Sequence, residues 1–249
     1  MTPNNKSILI DGGGSDFSSF NVGKETLMPY LLDRKIAIVD YIMVSHFDTD
    51  HVGGLLYIMQ NMKVKNAIIS NQPETSQNFQ EFIKIAKEKK INIIVVNAGD
   101  KLNIEKDLYF NILWPDKNDF ISENTLNNNS IVCNLNYKRF SCVFTGDIEE
   151  IAEKKILEKN KLNLLKADIL KVAHHGSKTS SKQELINTVQ PKIALIGVGR
   201  NNNFGHPNEQ IINRLQDNGV KVFRTDQNGE ISIVVDRRGE IVNIQKFIK

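Results

Sequence analysis

The stretch that decides the fold is residues 46–51, which read HFDTDH and are followed by VGG at residues 52–54. It comes directly after residues 38–44 (IVDYIMV), an apolar run typical of a buried strand, and it leads into residues 51–60, whose apolar spacing predicts a helix. Two glycines let such a helix begin close to the sheet. A tight loop of this kind brings two imidazoles and two carboxylates to one place, which indicates a metal site.

The candidate metal ligands of this loop are His46, Asp48, Asp50 and His51. Imidazole nitrogens and carboxylate oxygens are usual ligands of divalent metals in proteins. A structural interpretation stays open for the carboxylates, since Asp50 could cap the following helix and Asp48 could be a turn residue.

A second cluster, AHHGS at residues 173–177, ends the strand predicted at residues 169–172. Ligands collect at the carboxyl ends of strands in α/β proteins, and a glycine after the two histidines lets the backbone approach a bound ion. These features make His174 and His175 candidates for the same site. A purely structural His-His-Gly turn is the alternative.

Three weaker elements follow predicted strands or precede predicted helices. Asp147 follows Thr145 and Gly146; it could cap the helix predicted from Glu149, but a two-metal site needs a carboxylate between ions roughly 3.5 to 4 Å apart. The other two elements are His206 in NFGHPN, residues 203–208, and the polar patch NNNS, residues 127–130. A capping loop and a plain turn are their structural alternatives.

Composition describes a globular protein and excludes several classes. The chain has 249 residues, of which 40% are hydrophobic and 24% charged, which argues against a disordered, collagen-like or coiled-coil chain. Lys and Arg number 32 against 29 Asp and Glu, so a broad basic surface for nucleic acid is not indicated. The apolar runs are shorter than the roughly 20 residues of a membrane-spanning helix, and Cys133 and Cys142 cannot form a disulfide framework.

The order of predicted elements indicates one domain over residues 1–249. Helices alternate with strands at both ends of the chain, and residues 91–145 are mostly strands. This pattern favours an α/β fold in which two mixed sheets stack face to face with helices outside, an αββα sandwich. Strands are predicted at residues 7–10, 38–44, 67–70, 91–96, 102–104, 108–113, 131–137, 140–145, 169–172, 193–196, 220–223 and 231–235. Helices are predicted at residues 24–35, 51–60, 78–89, 149–159, 182–190 and 208–218.

Together these motifs resemble the metallo-β-lactamase fold superfamily, and more narrowly its branch in the competence protein ComEC. The motifs that carry the resemblance are DGG at 11–13, HFDTDH at 46–51 with GG at 53–54, NS at 129–130, TGD at 145–147, HHGSKTS at 174–180 and GHP at 205–207. They span most of the chain. The resemblance implies an αββα sandwich with a two-metal hydrolytic site.

The resemblance also implies a role for each candidate residue. His46 and Asp48 would bind one metal, Asp50, His51 and His175 the other, and Asp147 would bridge the two. Catalytic contributions are expected from Asp50, His174 and His206, and substrate contacts from Asn129, Ser130, Ser177 and His206.

Three departures from the superfamily pattern matter. Asp48 stands where the common HxHxDH loop has a histidine, and no histidine occurs between His51 and His174. The site would therefore be rich in oxygen ligands, which leaves Mn²⁺ and Zn²⁺ both open and argues against a true lactamase. The branch's first apolar strand and Gly-Gln-Gly-Asp turn are missing before residues 7–10, so we expect the first hairpin to be absent, through a fragment or a displaced gene start.

The function that the resemblance implies is metal-dependent hydrolysis of phosphodiester bonds in DNA during competence. DNA and a membrane DNA-uptake channel are the expected partners, and the chain is expected in the cytoplasm or as a soluble, membrane-associated protein, with the side of the membrane left open. Two alternatives are a hydrolase of small phosphodiesters or phosphorylcholine esters, and a metal-stabilised module of the channel without catalysis.

Overall fold

The computed structural model describes residues 1–14, 20–71, 73–159 and 162–248. It contains two compact units, residues 1–97 and residues 98–249, which are taken in turn. No helix in the described part of the chain is both long and apolar enough to cross a bilayer. One domain over residues 1–249 stays a prediction.

The first unit is built on a four-stranded sheet in the order β1-β2-β3-β4, and each described pair of neighbours is parallel. The strands are β1 (Ile8–Ile10), β2 (Ile38–Met43), β3 (Lys63–Ser70) and β4 (Asn92–Val96). The helices are α1 (Met28–Asp33), which follows a π-helical turn at Gly23–Leu27, then α2 (Thr49–Asn61) and α3 (Gln77–Glu88). Parallel strands need crossover connections, and these helices provide them.

Helix α2 begins two residues earlier than the sequence predicts. Asp48 occupies its N-cap position, and the N–H of Val52 donates to the Asp48 carbonyl at 3.0 Å, so the helical bonding already includes Asp50 and His51. Leu55, Ile58 and other apolar residues of α2 are buried in the core of this unit. The buried face fixes the rotation of the helix and therefore the direction of its first turn.

The second unit is built on a seven-stranded mixed sheet in the order β11-β10-β9-β8-β7-β6-β5. Its strands are β5 (Lys101–Glu105), β6 (Leu108–Trp114), β7 (Val132–Tyr137), β8 (Phe140–Phe144), β9 (Ile169–Lys171), β10 (Ile193–Ile196) and β11 (Lys221–Arg224). Strands β5 to β8 are antiparallel, and β8 to β11 are parallel. A separate antiparallel hairpin joins β12 (Ile231–Val235) and β13 (Ile241–Lys246).

The helices of this unit are α4 (Thr125–Asn128), α5 (Glu150–Lys159), α6 (Gln183–Val189), α7 (Glu209–Asp217) and α8 (Thr225–Asn228). Short 3₁₀ turns lie at Leu162–Leu164 and Ala173–Gly176. Trp114 is fully buried in the core, and its indole N–H donates to the carbonyl of Asn128 at 2.7 Å. This bond attaches the last residue of α4 to the last residue of β6.

Glu153 is a buried carboxylate outside the candidate site, and it supports the start of α6. The backbone N–H groups of Ser181 and Lys182 donate to its two carboxylate oxygens, while Arg214 donates to the carbonyl of Ser181 at 2.7 Å. Burial raises the pKa of Glu153 to about 7, although the two N–H bonds act in the opposite direction.

We therefore expect stability to depend on Glu153 between pH 4.5 and 7. The unfolded chain ionises this group near 4.5 and the folded chain near 7, so its contribution is full below pH 4.5 and decreases as pH rises to 7. At 1.36 kcal/mol per pKa unit the decrease is about 3 kcal/mol. Urea unfolding of wild type and Glu153→Gln at pH 5 and pH 8 measures it.

Glu150→Gln is the matched control, because Glu150 lies one turn earlier and its pKa is lowered to about 2 by hydrogen bonds from Lys154 and Lys182. The contribution of Glu150 to the free energy of unfolding is therefore constant between pH 5 and pH 8. If the difference in unfolding free energy between wild type and Glu153→Gln were the same at pH 5 and pH 8, burial would not raise the pKa of Glu153 in the folded chain.

Candidate metal centre

In the first unit, the four predicted ligands lie together at the end of β2 and the start of α2. His46 is fully buried, His51 is nearly so, and their ring centroids are 4.1 Å apart. The Oδ2 atom of Asp48 lies 3.4 Å from Nε2 of His46. Asp50 is exposed, and one of its carboxylate oxygens lies within 4.8 Å of a ring nitrogen of His51. The loop therefore has the donor set that its sequence predicts.

Asp11 and Ser45 orient both imidazoles. The N–H and the hydroxyl of Ser45 donate to the Asp11 carboxylate, each at 2.8 Å, and the same carboxylate lies 2.8 Å from Nδ1 of His51. The Ser45 hydroxyl proton is used for Asp11, so its oxygen accepts from Nδ1 of His46 at 3.0 Å. Both rings therefore carry their proton on Nδ1 and present Nε2 as the nitrogen that can bind a metal.

The Nε2 atom of His46 tests whether a metal fits. It is buried, and within the described ranges no hydrogen-bond partner reaches it. A buried polar atom without a partner is unusual and costly. A divalent cation beside Asp48 would satisfy this nitrogen, so the residues present fit a metal.

The pKa of Asp11 is set by opposing effects. Burial raises it, but the charge and hydrogen bond of His51 and the N–H of Ser45 together lower it below its usual value. Asp11 is therefore ionised at neutral pH, which keeps the proton of His51 on Nδ1.

We expect Asp11→Asn to weaken metal binding by 10- to 100-fold, because an amide no longer fixes the tautomer and orientation of His51. Competition with a chromophoric chelator measures the affinity without any assay of activity. Asp40→Asn is the control, since Asp40 holds Ser7 and Lys65 elsewhere on the same sheet and should leave the affinity unchanged. Equal affinities in wild type and Asp11→Asn would exclude the orienting role.

The structural alternatives are a helix cap at Asp50 and a turn residue at Asp48, and the structure places Asp48, not Asp50, at the N-cap position. Asp48 stands at the N-cap of α2, but its side chain makes no capping hydrogen bond to the described residues. Asp50 lies in the first turn, where the helix dipole favours a negative charge.

In the second unit, Asp147 and His175 face each other. Asp147 is buried, and its Oδ2 lies 3.4 Å from Nε2 of His175. Nδ1 of His175 donates to the carbonyl of Gly197 at 2.7 Å, so Nε2 carries the lone pair. Like His46 and His51, His175 therefore has Nδ1 bonded to the protein, and its Nε2 lies beside a carboxylate.

The turn that carries His175 has an unusual backbone. His174 and His175 both have positive φ, 49° and 52°, and Gly176 follows with 81°. Two consecutive non-glycine residues in the left-handed region are strained, and such strain collects at functional sites. The N–H of His174 donates to the Gly146 carbonyl at 3.2 Å, which joins the turn to the loop of Asp147.

His174 and His206 lie near Asp147 and His175, but their own contacts are with Glu149 and with each other. Nδ1 of His174 is buried, has no hydrogen-bond partner among the residues described, and lies 3.7 Å from Oε1 of Glu149. The rings of His174 and His206 meet edge to face at 5.7 Å. Burial, then the charges of His174 and His175, lower the pKa of His206, so His206 is neutral at neutral pH and can donate an N–H. Asn208, and not His206, caps α7.

The predicted substrate residues Asn129, Ser130 and Ser177 are all buried. The Asn129 side-chain amide bonds three backbone groups of residues 121–125, and the Ser130 hydroxyl accepts from the N–H of Asp147 at 3.2 Å. Ser177 lies 3.0 Å, oxygen to oxygen, from the Thr179 hydroxyl. These bonds hold the loops around Asp147 and His174; substrate contacts from the three residues stay a prediction.

Several residues that shape the site were not predicted. Asp11 enters the sequence analysis only as part of the DGG motif at residues 11–13, and Ser45 belongs to none of its motifs. Glu149 was predicted as a helix start; it accepts from Asn124 and holds a position beside His174. Gly197 contributes a backbone carbonyl, for which a sequence has no signal.

The family model described as "Metallo-beta-lactamase superfamily" matches residues 1–200. ComE operon protein 3 of Bacillus subtilis is 36% identical over 234 residues, which cover 90% of this chain and 29% of the relative. Competence protein ComA of Neisseria gonorrhoeae is 28% identical over 236 residues, 94% of this chain and 30% of the relative. The chain therefore spans less than a third of the length of these relatives.

Two solved structures share the fold. Igni18, a metallo hydrolase from Ignicoccus hospitalis, has a TM-score of 0.51 at 16% identity and covers 90% of this chain and 85% of its own. Zn²⁺-bound PqqB from Methylobacterium extorquens has a TM-score of 0.50 at 8% identity, with coverages of 90% and 83%. At these identities the likeness shows the fold alone.

Proposed function

Since this chain belongs to the metallo-β-lactamase superfamily, as its motifs indicated, we propose that it is a metal-dependent hydrolase of phosphodiester bonds in DNA. The α/β fold and the competence-protein relatives confirm the predicted family and its branch. The relatives' names support DNA as the substrate. The observation that carries the proposal is that three imidazoles, His46, His51 and His175, have their Nδ1 atoms bonded to the protein, which makes Nε2 the nitrogen that can bind a metal.

We assign two divalent metals, Zn²⁺ or Mn²⁺, to these ligands as the resemblance implies. His46 and Asp48 would hold one metal, Asp50, His51 and His175 the other, with Asp147 between them. In the first unit the assignment is supported by the 3.4 Å between Asp48 and His46, and in the second by the 3.4 Å between Asp147 and His175. The assignment gives three protein residues to the first metal and four to the second, counting the shared Asp147 for both, and this share of carboxylate oxygens suits either metal.

When bound, the metals would supply the positive charge that activates a water near neutral pH and offsets charge on the phosphate. The exposed carboxylate of Asp50 can accept a proton at the start of α2. His206, neutral at neutral pH, can donate an N–H to a phosphate oxygen. His174, with its buried Nδ1 beside Glu149, is the candidate that gives a proton to the leaving oxygen.

Hydrolysis of single- and double-stranded DNA, with Mn²⁺ or Zn²⁺ added, tests the proposal. We expect cleavage by wild type and none by Asp50→Ala/His51→Ala. The control pair Glu88→Ala/Lys89→Ala lies on the exposed end of α3 and should cleave like wild type.

Two results would overturn DNA hydrolysis. Activity on bis-p-nitrophenyl phosphate without activity on DNA would favour a hydrolase of small phosphodiesters. A full complement of metal with no hydrolysis of any ester, together with loss of thermal stability under a chelator, would favour a non-catalytic module.

A further inference from the structure

Phe204 is an aromatic side chain that the fold leaves exposed. It lies in the loop between β10 and α7, and its relative exposure is 66%. By contrast, Trp114 and Phe110 on the sheet of this unit are fully buried. Exposing a phenyl ring has a free-energy cost, since burial would remove its apolar surface from water.

The loop holds Phe204 in a defined position. The side-chain oxygen of Asn202 accepts from the N–H of Phe204 at 3.2 Å and from the N–H of His206 at 3.0 Å. Its nitrogen donates to the carbonyls of His206 at 2.7 Å and Gly199 at 3.1 Å. One asparagine therefore closes the loop with four hydrogen bonds, and these bonds fix the backbone that carries the Phe204 ring.

The ring of Phe204 begins a series of rings that leads to the candidate metal centre. It is stacked on His206, with centroids 5.9 Å apart and planes 20° apart. His206 in turn meets His174 at 5.7 Å, and His174 is adjacent to the predicted ligand His175. A flat apolar surface thus lies next to the imidazole to which we assign a phosphate contact.

We propose that Phe204 is a stacking surface for a nucleobase next to the phosphate that is cleaved, and that it directs the site toward single-stranded DNA. This inference rests on the proposed function and names the form of its substrate. In a nucleotide one sugar joins the base to the phosphate, so a base stacked on Phe204 can have its phosphate beside the neighbouring His206 imidazole. Stacking on an aromatic ring is tolerant of sequence and needs a base that is not paired in a duplex.

The test compares two single strands of equal length, an oligothymidylate and an abasic oligomer with the same phosphodiester backbone. We expect wild type to have a KM at least about tenfold lower for the strand with bases, and Phe204→Ala to lose this preference while kcat changes little. Phe204→Trp should restore it. Phe247→Ala, which removes a ring of 57% exposure just after β13, should keep the wild-type preference.

An equal KM for both strands in wild type, or a preference that persists in Phe204→Ala, would overturn the stacking role. If wild type cleaves neither strand, the proposed function fails by itself. Fluorescence anisotropy of the same two labelled strands then decides the stacking role, because base-dependent binding lost in Phe204→Ala needs no hydrolysis.

Discussion

Replacing Asp147 by asparagine is expected to lower kcat/KM for DNA by about 1000-fold, which corresponds to about 4 kcal/mol of transition-state stabilisation. The amide keeps the shape of the side chain but removes the charge that we assign between two cations. Asp147 is buried, with its Oδ2 3.4 Å from Nε2 of His175, so we expect that water cannot easily take over the role of its carboxylate. Single-turnover cleavage at saturating metal measures the effect.

Asp119→Asn is the matched control for this substitution. Asp119 pairs with Lys155 and Lys159 outside the candidate site, so its loss should leave kcat/KM within a factor of about two of wild type. Near-ultraviolet circular dichroism checks that Asp147→Asn folds. A folded Asp147→Asn protein that keeps a tenth or more of wild-type activity would contradict the bridging role.

Gly54→Ala is expected to destabilise the first unit by about 4 kcal/mol, or to prevent its folding. A Cβ atom at this position would overlap the carbonyl oxygen of Gly12. The contact is between backbones, since the N–H of Gly54 donates to Gly13 at 2.7 Å and the N–H of Gly12 donates to His51 at 2.6 Å. No flexible side chain can therefore move to make room.

Urea unfolding of wild type, Gly54→Ala and Gly199→Ala measures this effect. No atom of the described residues lies within 4 Å of a Cβ built at Gly199, so that substitution should change stability by less than about 0.5 kcal/mol. A similar loss in both variants would mean that the close approach at Gly54 is not what constrains the loop.

The sequence predicts most of the regular structure because the relevant segments are strongly apolar and short turns separate them. The strand before His46 and the helix after it are both present, with α2 beginning at Thr49 because Asp48 takes the N-cap position. Strand β13 was missed, since Asn243, Gln245 and other polar residues interrupt its apolar run in an exposed hairpin.

The proximity of His46, Asp48, Asp50 and His51 could also be predicted, because they lie within six consecutive residues between a strand and a helix; that they bind metal stays a prediction. The groups that orient them were not predicted. Asp11 is 40 positions from His51 in the chain, and the partner of His175 is a main-chain carbonyl at Gly197. Contacts between distant segments leave no local periodicity, so only the fold reveals them.

The most direct test of the account is metal analysis of the purified chain by mass spectrometry, for wild type, Asp50→Ala/His51→Ala and His175→Ala. The account predicts two divalent ions per wild-type chain and a loss of bound metal in both variants. A wild-type chain that binds no divalent metal, or a His175→Ala chain that keeps both ions with wild-type affinity, would contradict it.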